Sequence, residues 1–78
     1  MNSMSLTVSR LLQAQAHAEA DPRPTTIKLW RDGVAVEMWD RGRRVERRVT
    51  WEAIETAHLN VVMEAIYRCA ADLSARHQ

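Results

Sequence analysis

A hairpin signal at Asp32-Gly33 constrains the fold of this chain more than any other feature. On both sides of it apolar and polar residues alternate, and a period of two is typical of strands with one buried face. A two-residue turn of type I′ needs positive φ at both central positions, which Asp-Gly tolerates. We therefore predict two antiparallel strands joined by Asp32-Gly33. In that register Leu29 lies opposite Val36, and Lys28 lies opposite Glu37, which pairs opposite charges.

A second turn is predicted at residues 40–43, with Arg41-Gly42 at its tip and a third strand that continues to Thr50. This register places Trp39 opposite Arg44. It also places Glu37 opposite Glu46 and turns Arg47 inward, both of which count against it, although Lys28 and Arg48 lie close enough to relieve the pair of like charges. Residues 25–50 are thus predicted to form a three-stranded antiparallel meander.

Helices are predicted on both sides of the meander. Residues 4–20 carry apolar side chains at spacings of three and four, which favours an amphipathic helix, and residues 21–24 contain two prolines that form an extended linker. A disordered N-terminal arm is the alternative, because an isolated helix of this length is marginal. Residues 51–76 contain neither Pro nor Gly, and Thr50 is suited to cap a helix there.

The apolar side chains of residues 51–76 cover an arc of about 200°, which is wider than one three-stranded sheet should hide. Either the first helix or a second copy of the chain is expected to pack on it, and the width of the arc predicts a homodimer. The residues assigned to this dimer or helix-docking contact are Leu59, Met63, Ile66 and Tyr67.

Together these elements predict an α+β fold in which a helix, a three-stranded antiparallel meander and a long C-terminal helix packed on the sheet follow one another. The 78 residues are expected to form a single domain over 1–78, since a chain this short buries only about 60% of its unfolded surface. Cys69, the single cysteine, excludes an intrachain disulfide. No membrane span and no secretory signal is recognisable, so the expected location is the cytoplasm.

The sequence contains no catalytic motif. His17, His58 and His77 lack the ligand spacing of a helical metal site, and no glycine-rich phosphate loop or nucleophile elbow is present. Cys69 lies on the apolar arc, where a cysteine usually acts as a small hydrophobic residue. We therefore expect a protein that is not an enzyme and that uses no cofactor and no metal.

Arginines cluster around the second turn, and two tryptophans lie on the neighbouring strands. Trp and Arg are enriched in the cores of protein interfaces, whereas arginines beside aromatic rings can also bind phosphates and stack on bases. A pI near 8.0 is below the value above about 9 that is typical of basic nucleic-acid modules, so a protein partner is favoured. If the first helix covers this face, the tryptophans are core residues instead. The predicted partner-binding residues are Trp30, Trp39, Arg41, Arg43, Arg44, Arg47 and Arg48.

The order helix, three-stranded meander, helix is similar to that of double-stranded RNA-binding domains. In that family basic residues open the second helix, whereas this one opens with Trp51-Glu52-Ala53-Ile54-Glu55, so no functional residue carries over. In size and style the chain also looks like the stand-alone inhibitors that phages and mobile elements encode, including anti-CRISPR proteins. That resemblance implies a non-catalytic inhibitor that binds a host protein complex. Nucleic-acid binding through the arginine-rich hairpin is the alternative.

Overall fold

The computed structural model describes residues 3–75, which form an α+β fold and confirm the predicted order of elements. The helices are α1 (Ser3–Ala20), α2 (Trp51–Thr56) and α3 (Val61–Ala75), and the strands are β1 (Thr25–Trp30), β2 (Gly33–Asp40) and β3 (Arg43–Thr50). The antiparallel sheet has the order β1-β2-β3. Buried residues of α1, α2 and α3 share one core with Val34, Val36, Met38 and Val45, so the helices pack on the face of the sheet that these four residues line.

The first hairpin differs from the predicted register by two residues. Leu29 lies opposite Val34 and Lys28 opposite Ala35, so the loop consists of Arg31 and Asp32, and Gly33 already belongs to β2. The prediction assigned Gly33 to the turn for its conformational freedom. In the structure this glycine pairs with Trp30 on one side and with Thr50 on the other. Because the shift is an even number of residues, every side chain keeps its predicted face.

The second hairpin confirms the predicted register. Arg41 and Gly42 form the tip with φ of 55° and 80°, as a two-residue turn with positive φ requires. Trp39 lies opposite Arg44, and Glu37 lies opposite Glu46.

The prediction of one uninterrupted helix over 51–76 is wrong at residues 57–60, where the chain leaves the helix between α2 and α3. Thr50 caps α2 as predicted, since its Oγ1 accepts a hydrogen bond from the Ala53 amide at 3.1 Å. Asn60 caps α3, because its Oδ1 accepts from the amides of Val62 and Met63 at 3.1 and 3.3 Å. Position 76, the predicted end of the helix, and His77 lie outside the described residues.

Contacts from α1 stabilise this break. The Arg10 guanidinium donates to the carbonyl oxygens of Ile54 and Ala57 at 2.7 and 2.9 Å, where α2 ends and leaves acceptors without helical partners. Asn60 Nδ2 donates in return to the Arg10 carbonyl at 3.1 Å. These hydrogen bonds therefore anchor the segment between α2 and α3 to α1.

The first helix covers part of the apolar arc of the C-terminal segment. Among the residues assigned to dimer or helix docking, Ile66 is fully buried and Met63 packs against the core. Tyr67 is exposed and makes an edge contact with the His17 ring of α1 at 4.8 Å, and Leu59 is exposed in the segment between α2 and α3. The docking of α1 supplies the cover that the width of the arc demands, and the homodimer stays a prediction. Within the described chain, none of the helices has the length and apolar character needed to cross a membrane.

Candidate functional site on the outer face of the sheet

The face of the sheet that points away from the helices, here called the outer face, carries both predicted tryptophans. Trp30 is 39% and Trp39 is 40% exposed. Helices formed by residues 3–75 pack on the opposite face, so α1 does not cover these rings. The outer face consists of Thr26, Lys28, Trp30, Ala35, Glu37, Trp39, Arg44, Glu46, Arg48 and Thr50.

Glu37 lies at the centre of the outer face and is only 6% exposed. Its carboxylate accepts hydrogen bonds from Arg44 Nε at 2.5 Å, from Lys28 Nζ at 3.3 Å and from Trp39 Nε1 at 3.3 Å. The hydrogen bond from Arg44 is the main cause that lowers the pKa of Glu37 below its ordinary value. Glu37 is therefore ionised at neutral pH, and it fixes the orientation of the Trp39 indole.

A second carboxylate orders the other end of the face. Glu46 accepts from Arg44 Nη2 at 2.9 Å and from Arg48 Nε at 3.4 Å. The guanidinium carbon of Arg48 lies 3.8 Å from the centre of the Trp30 ring, which is a cation–π arrangement. Trp30 and Trp39 are thus connected through an alternating series of arginines and glutamates, and the like-charged pair Glu37 and Glu46 is bridged by Arg44.

Only part of the predicted arginine cluster belongs to this face. Arg43 Nη2 donates to the Leu73 carbonyl of α3 at 2.7 Å, and Arg47 Nη2 pairs with Asp72 Oδ2 at 3.0 Å. These two arginines join β3 to α3 and do not lie beside the tryptophans. Arg41 is exposed at the tip of the second turn. Arg44 and Arg48 are the predicted arginines that the structure brings together with Trp30 and Trp39.

Strand alternation could have divided the arginines, because residues 43, 45 and 47 must face opposite to residues 44, 46 and 48. The same alternation places Lys28, Glu37 and Glu46 among the tryptophans. The prediction left these three residues out of the site, although it noted the pairing of Lys28 with Glu37. The signal for them was the like-charged pair of Glu37 and Glu46, which needs cations nearby; the prediction noted that Lys28 and Arg48 lie close enough to relieve it but did not add the glutamates or Lys28 to the site.

The described residues offer neither an activated thiol nor a metal-binding cluster. Cys69 is buried, its Sγ lies 3.8 Å from the Val36 carbonyl, and desolvation by burial raises the pKa of its thiol, which disfavours the reactive thiolate. Residues 3–75 contain no group of three or more His, Cys, Asp or Glu side chains that could hold a metal ion. The outer face instead offers two oriented aromatic rings and paired guanidinium groups.

Comparison with models of protein families, with curated proteins and with solved structures finds no match to this chain. No activity, ligand or partner therefore carries over from a relative.

Proposed function

We propose that this protein is a non-catalytic module that binds another protein through Trp30, Trp39, Arg44 and Arg48. The observation that carries the proposal is the pair of tryptophans, each more than a third exposed and each held in place on a sheet face that the described helices leave open. Trp and Arg dominate the binding energy of protein interfaces.

The side chains of this face are ordered before a partner arrives. Trp39 donates to Glu37, and Arg48 packs on Trp30 while it bonds Glu46. Immobilising a flexible side chain at an interface costs about 0.5–1.5 kcal/mol, so residues that are already fixed lose less on binding. The outer face therefore loses little side-chain entropy when a partner binds, which favours tight binding.

The proposed mode of action is inhibition by occupancy. A module that binds through aromatic rings and paired guanidinium groups acts by covering a surface of its partner. The resemblance in size and style to inhibitors encoded by phages and mobile elements, including anti-CRISPR proteins, supports a host protein complex as the partner class.

Nucleic-acid binding is the second candidate, because Arg48 stacked on Trp30 is the kind of platform on which bases stack. The charge of the outer face favours a protein partner. Arg44 and Arg48 both pair with Glu46, and Arg44 and Lys28 both pair with Glu37. Little positive charge is left to neutralise successive phosphates, on which affinity for nucleic acids depends.

The proposal is tested with Trp39→Ala and with Tyr67→Ala as the matched control, since Tyr67 is an exposed aromatic residue on α3, away from the outer face. The partner is first identified by affinity capture from the host cells and then purified. Trp39→Ala should weaken its binding by about 2 kcal/mol or more, roughly thirtyfold, while thermal melting changes little. Equal affinity of both variants and the wild type for the purified partner would contradict the proposal.

Salt dependence separates the two candidate functions. We expect the wild type to bind generic DNA and RNA oligonucleotides only weakly, because the cations of the outer face are already paired with glutamates. Any binding that does rest on phosphate contacts would show as a steep fall of log K with log salt. Tight, salt-sensitive binding that Arg48→Gln removes and Arg68→Gln keeps would favour nucleic acid instead. Arg68 is the appropriate control because it is an exposed arginine paired with Glu64 on α3.

A further inference from the structure

The two edges of the sheet differ in charge. The order β1-β2-β3 leaves one edge of β1 and one edge of β3 without a strand neighbour among the described residues. Natural proteins protect such edges with charged side chains, because an open edge pairs readily with another chain. β3 carries Arg43, Arg44, Glu46, Arg47 and Arg48, whereas Lys28 is the only charged residue of β1. The β1 edge is therefore the one that can accept another strand.

The backbone hydrogen bonds show which groups of β1 point outward. The Trp39 amide donates to the Pro24 carbonyl at 3.0 Å, which makes residues 24 and 39 a hydrogen-bonded pair just before β1 begins. Such pairs alternate along an antiparallel ladder. Thr26, Lys28 and Trp30 thus bond to β2, and the amide and carbonyl groups of Thr25, Ile27 and Leu29 point to the open edge.

The helical layer is wider than the sheet that it covers. α1 packs beside α3, and α3 lies over β2 and β3 while α1 lies over β1. Two helices side by side span about 20 Å, because one helix with its side chains is about 10 Å across. Three strands span only about 14 Å at a spacing of about 4.8 Å, and a fourth would bring the width to about 19 Å. By these dimensions the sheet is about one strand narrower than the helical layer.

Exposed apolar side chains lie beside this position. Leu29 of β1 is 67% exposed and Leu12 of α1 is 66% exposed, and Val8 is half-exposed one turn before Leu12. At about 100° per residue, Val8 and Leu12 lie on the flank of α1 opposite Arg10 and His17, whose side chains contact the α2 end and α3. Because α1 lies over β1 and packs beside α3, this flank is on the side of α1 away from α3, toward the open edge of β1.

We propose that the open edge of β1 is a docking site for an extended segment of a partner protein, which adds to the sheet as a fourth strand beneath α1. Its alternate side chains are apolar and pack against Leu29, Leu12 and Val8. On the other side it carries an acidic residue next to Lys28, whose side chain is about half exposed and whose ammonium already binds one carboxylate, Glu37. The interaction is of the strand-addition type, in which main-chain hydrogen bonds give affinity and alternate pockets give specificity.

A second copy of this chain fits the position less well than a single strand. Pairing β1 with its copy would place the two α1 helices above neighbouring strands. These strands lie about 4.8 Å apart, whereas the axes of packed helices need a separation of about 8–10 Å. A partner segment without a helix above it meets no such conflict. Trp39 lies on the central strand β2, one strand away from this edge, so a variant at Trp39 tests the proposed function without changing the β1 edge.

The probe is a capped synthetic peptide with the sequence of residues 33–40, GVAVEMWD, because β2 already pairs with β1 in this chain. Its Val, Val and Met side chains lie on one side and its Glu on the other. Titration into the ¹⁵N-labelled protein should give saturable NMR shifts at the amides of Thr25, Ile27 and Leu29, with slowed hydrogen exchange at these positions. A peptide of the same composition in scrambled order is the control and should give none.

Leu29→Pro tests the edge directly. Proline is tolerated in an edge strand where the lost amide faces solvent, so the ¹⁵N spectrum of the variant should remain that of the folded protein. Loss of one ladder hydrogen bond should weaken the peptide about tenfold. Leu29→Val keeps both the amide and an apolar side chain and should bind as the wild type does. Leu29→Lys, which keeps the amide but adds an edge charge, serves if the proline variant unfolds, and it should also weaken binding.

Three results would overturn the proposal. The first is the absence of shifts at the β1 amides throughout the peptide titration. The second is binding that Leu29→Pro and Leu29→Lys leave unchanged. The third is protection of the same amides by self-association of the chain without peptide, measured by sedimentation, which would make a second copy the occupant. Trp39→Ala should leave peptide binding intact. A loss of partner binding in this variant therefore tests the proposed function and not the docking site at the β1 edge.

Discussion

At the scale of single residues, Glu37 is the side chain that organises the outer face, because its donors come from all three strands. Lys28 belongs to β1, Trp39 to β2 and Arg44 to β3. The sequence predicted the attraction between Lys28 and Glu37, since both lie on one face at short spacing. It could not predict the Arg44 and Trp39 contacts, because alternation assigns a face but does not tell which long side chains reach a common carboxylate.

The pH dependence of stability follows from this carboxylate. Its pKa is lowered in the folded protein, so its stabilisation is complete above the unfolded value of about 4.3 and is lost as the pH falls through the lower folded value. Thermal melting between about pH 7 and about pH 2.5 should therefore show the wild type losing stability in the acid range. Glu37→Gln should lose less over that range. Glu64→Gln, at an exposed carboxylate on α3, should keep the wild-type profile, and identical profiles for all three proteins would contradict the assignment.

At the scale of the elements, the predictions succeeded where local chemistry decides and failed where distant parts of the chain decide. Thr50 caps α2 through its own neighbours, and Arg41-Gly42 turn as their conformational freedom allows. The register of the first hairpin depends on the third strand. A Cβ on Gly33 would lie 1.9 Å from the Val49 carbonyl oxygen, so the glycine is required for a close approach rather than for the turn.

Gly33→Ala and Gly42→Ala separate these two uses of glycine. At Gly33 the new methyl group meets β3 backbone, so we expect a loss of unfolding free energy of about 3 kcal/mol or more, as for severe overpacking. At Gly42 nothing lies within 4 Å of the added Cβ, and only the positive φ of 80° opposes alanine. That should cost about 1–2 kcal/mol. Thermal melting of both variants checks the order, and an equal loss would show that β3 yields to the added methyl group.

The break between α2 and α3 was missed for the same reason. Residues 57–60 contain no helix breaker, and the segment leaves the helix where Arg10 of α1 binds the carbonyls of α2 and Asn60 caps α3. A partner that lies more than 40 positions away in the sequence leaves no local signal. Only the capping ability of Asn60 could have indicated a second helix start.

Asn60→Ala should lower the free energy of unfolding by about 1 kcal/mol or more, because it removes an N-cap and also the hydrogen bond from Nδ2 to the Arg10 carbonyl. Urea denaturation measures the loss through the midpoint. Gln13→Ala is the control, because it removes only the exposed 3.3 Å bond between the two side chains and leaves the cap in place. A midpoint for Asn60→Ala equal to that of Gln13→Ala would mean that the cap does not stabilise the break.

At the scale of the whole molecule, α1 completes a core that the sheet and α3 cannot close together. Ala14 and Ala18 are buried in that core and Leu11 packs against it, while Arg10 satisfies the carbonyls at the end of α2. The sequence predicted that something must cover the apolar arc and allowed either this helix or a second copy. It could not choose, because both would bury the same residues of α3.

Removal of residues 1–24 distinguishes a core that α1 closes from a core that a second copy of the chain closes. A chain of this size buries only about 60% of its unfolded surface, so the fragment 25–78 should lack the apolar burial needed for a cooperative thermal transition. Circular dichroism and sedimentation of the fragment at low and high concentration measure this, with Gln15→Ala in the full chain as a control that touches only the exposed face of α1. A fragment that melts cooperatively as a monomer would contradict the role of α1. A fragment that regains cooperative melting only as it dimerises would show that a second copy can cover the same arc.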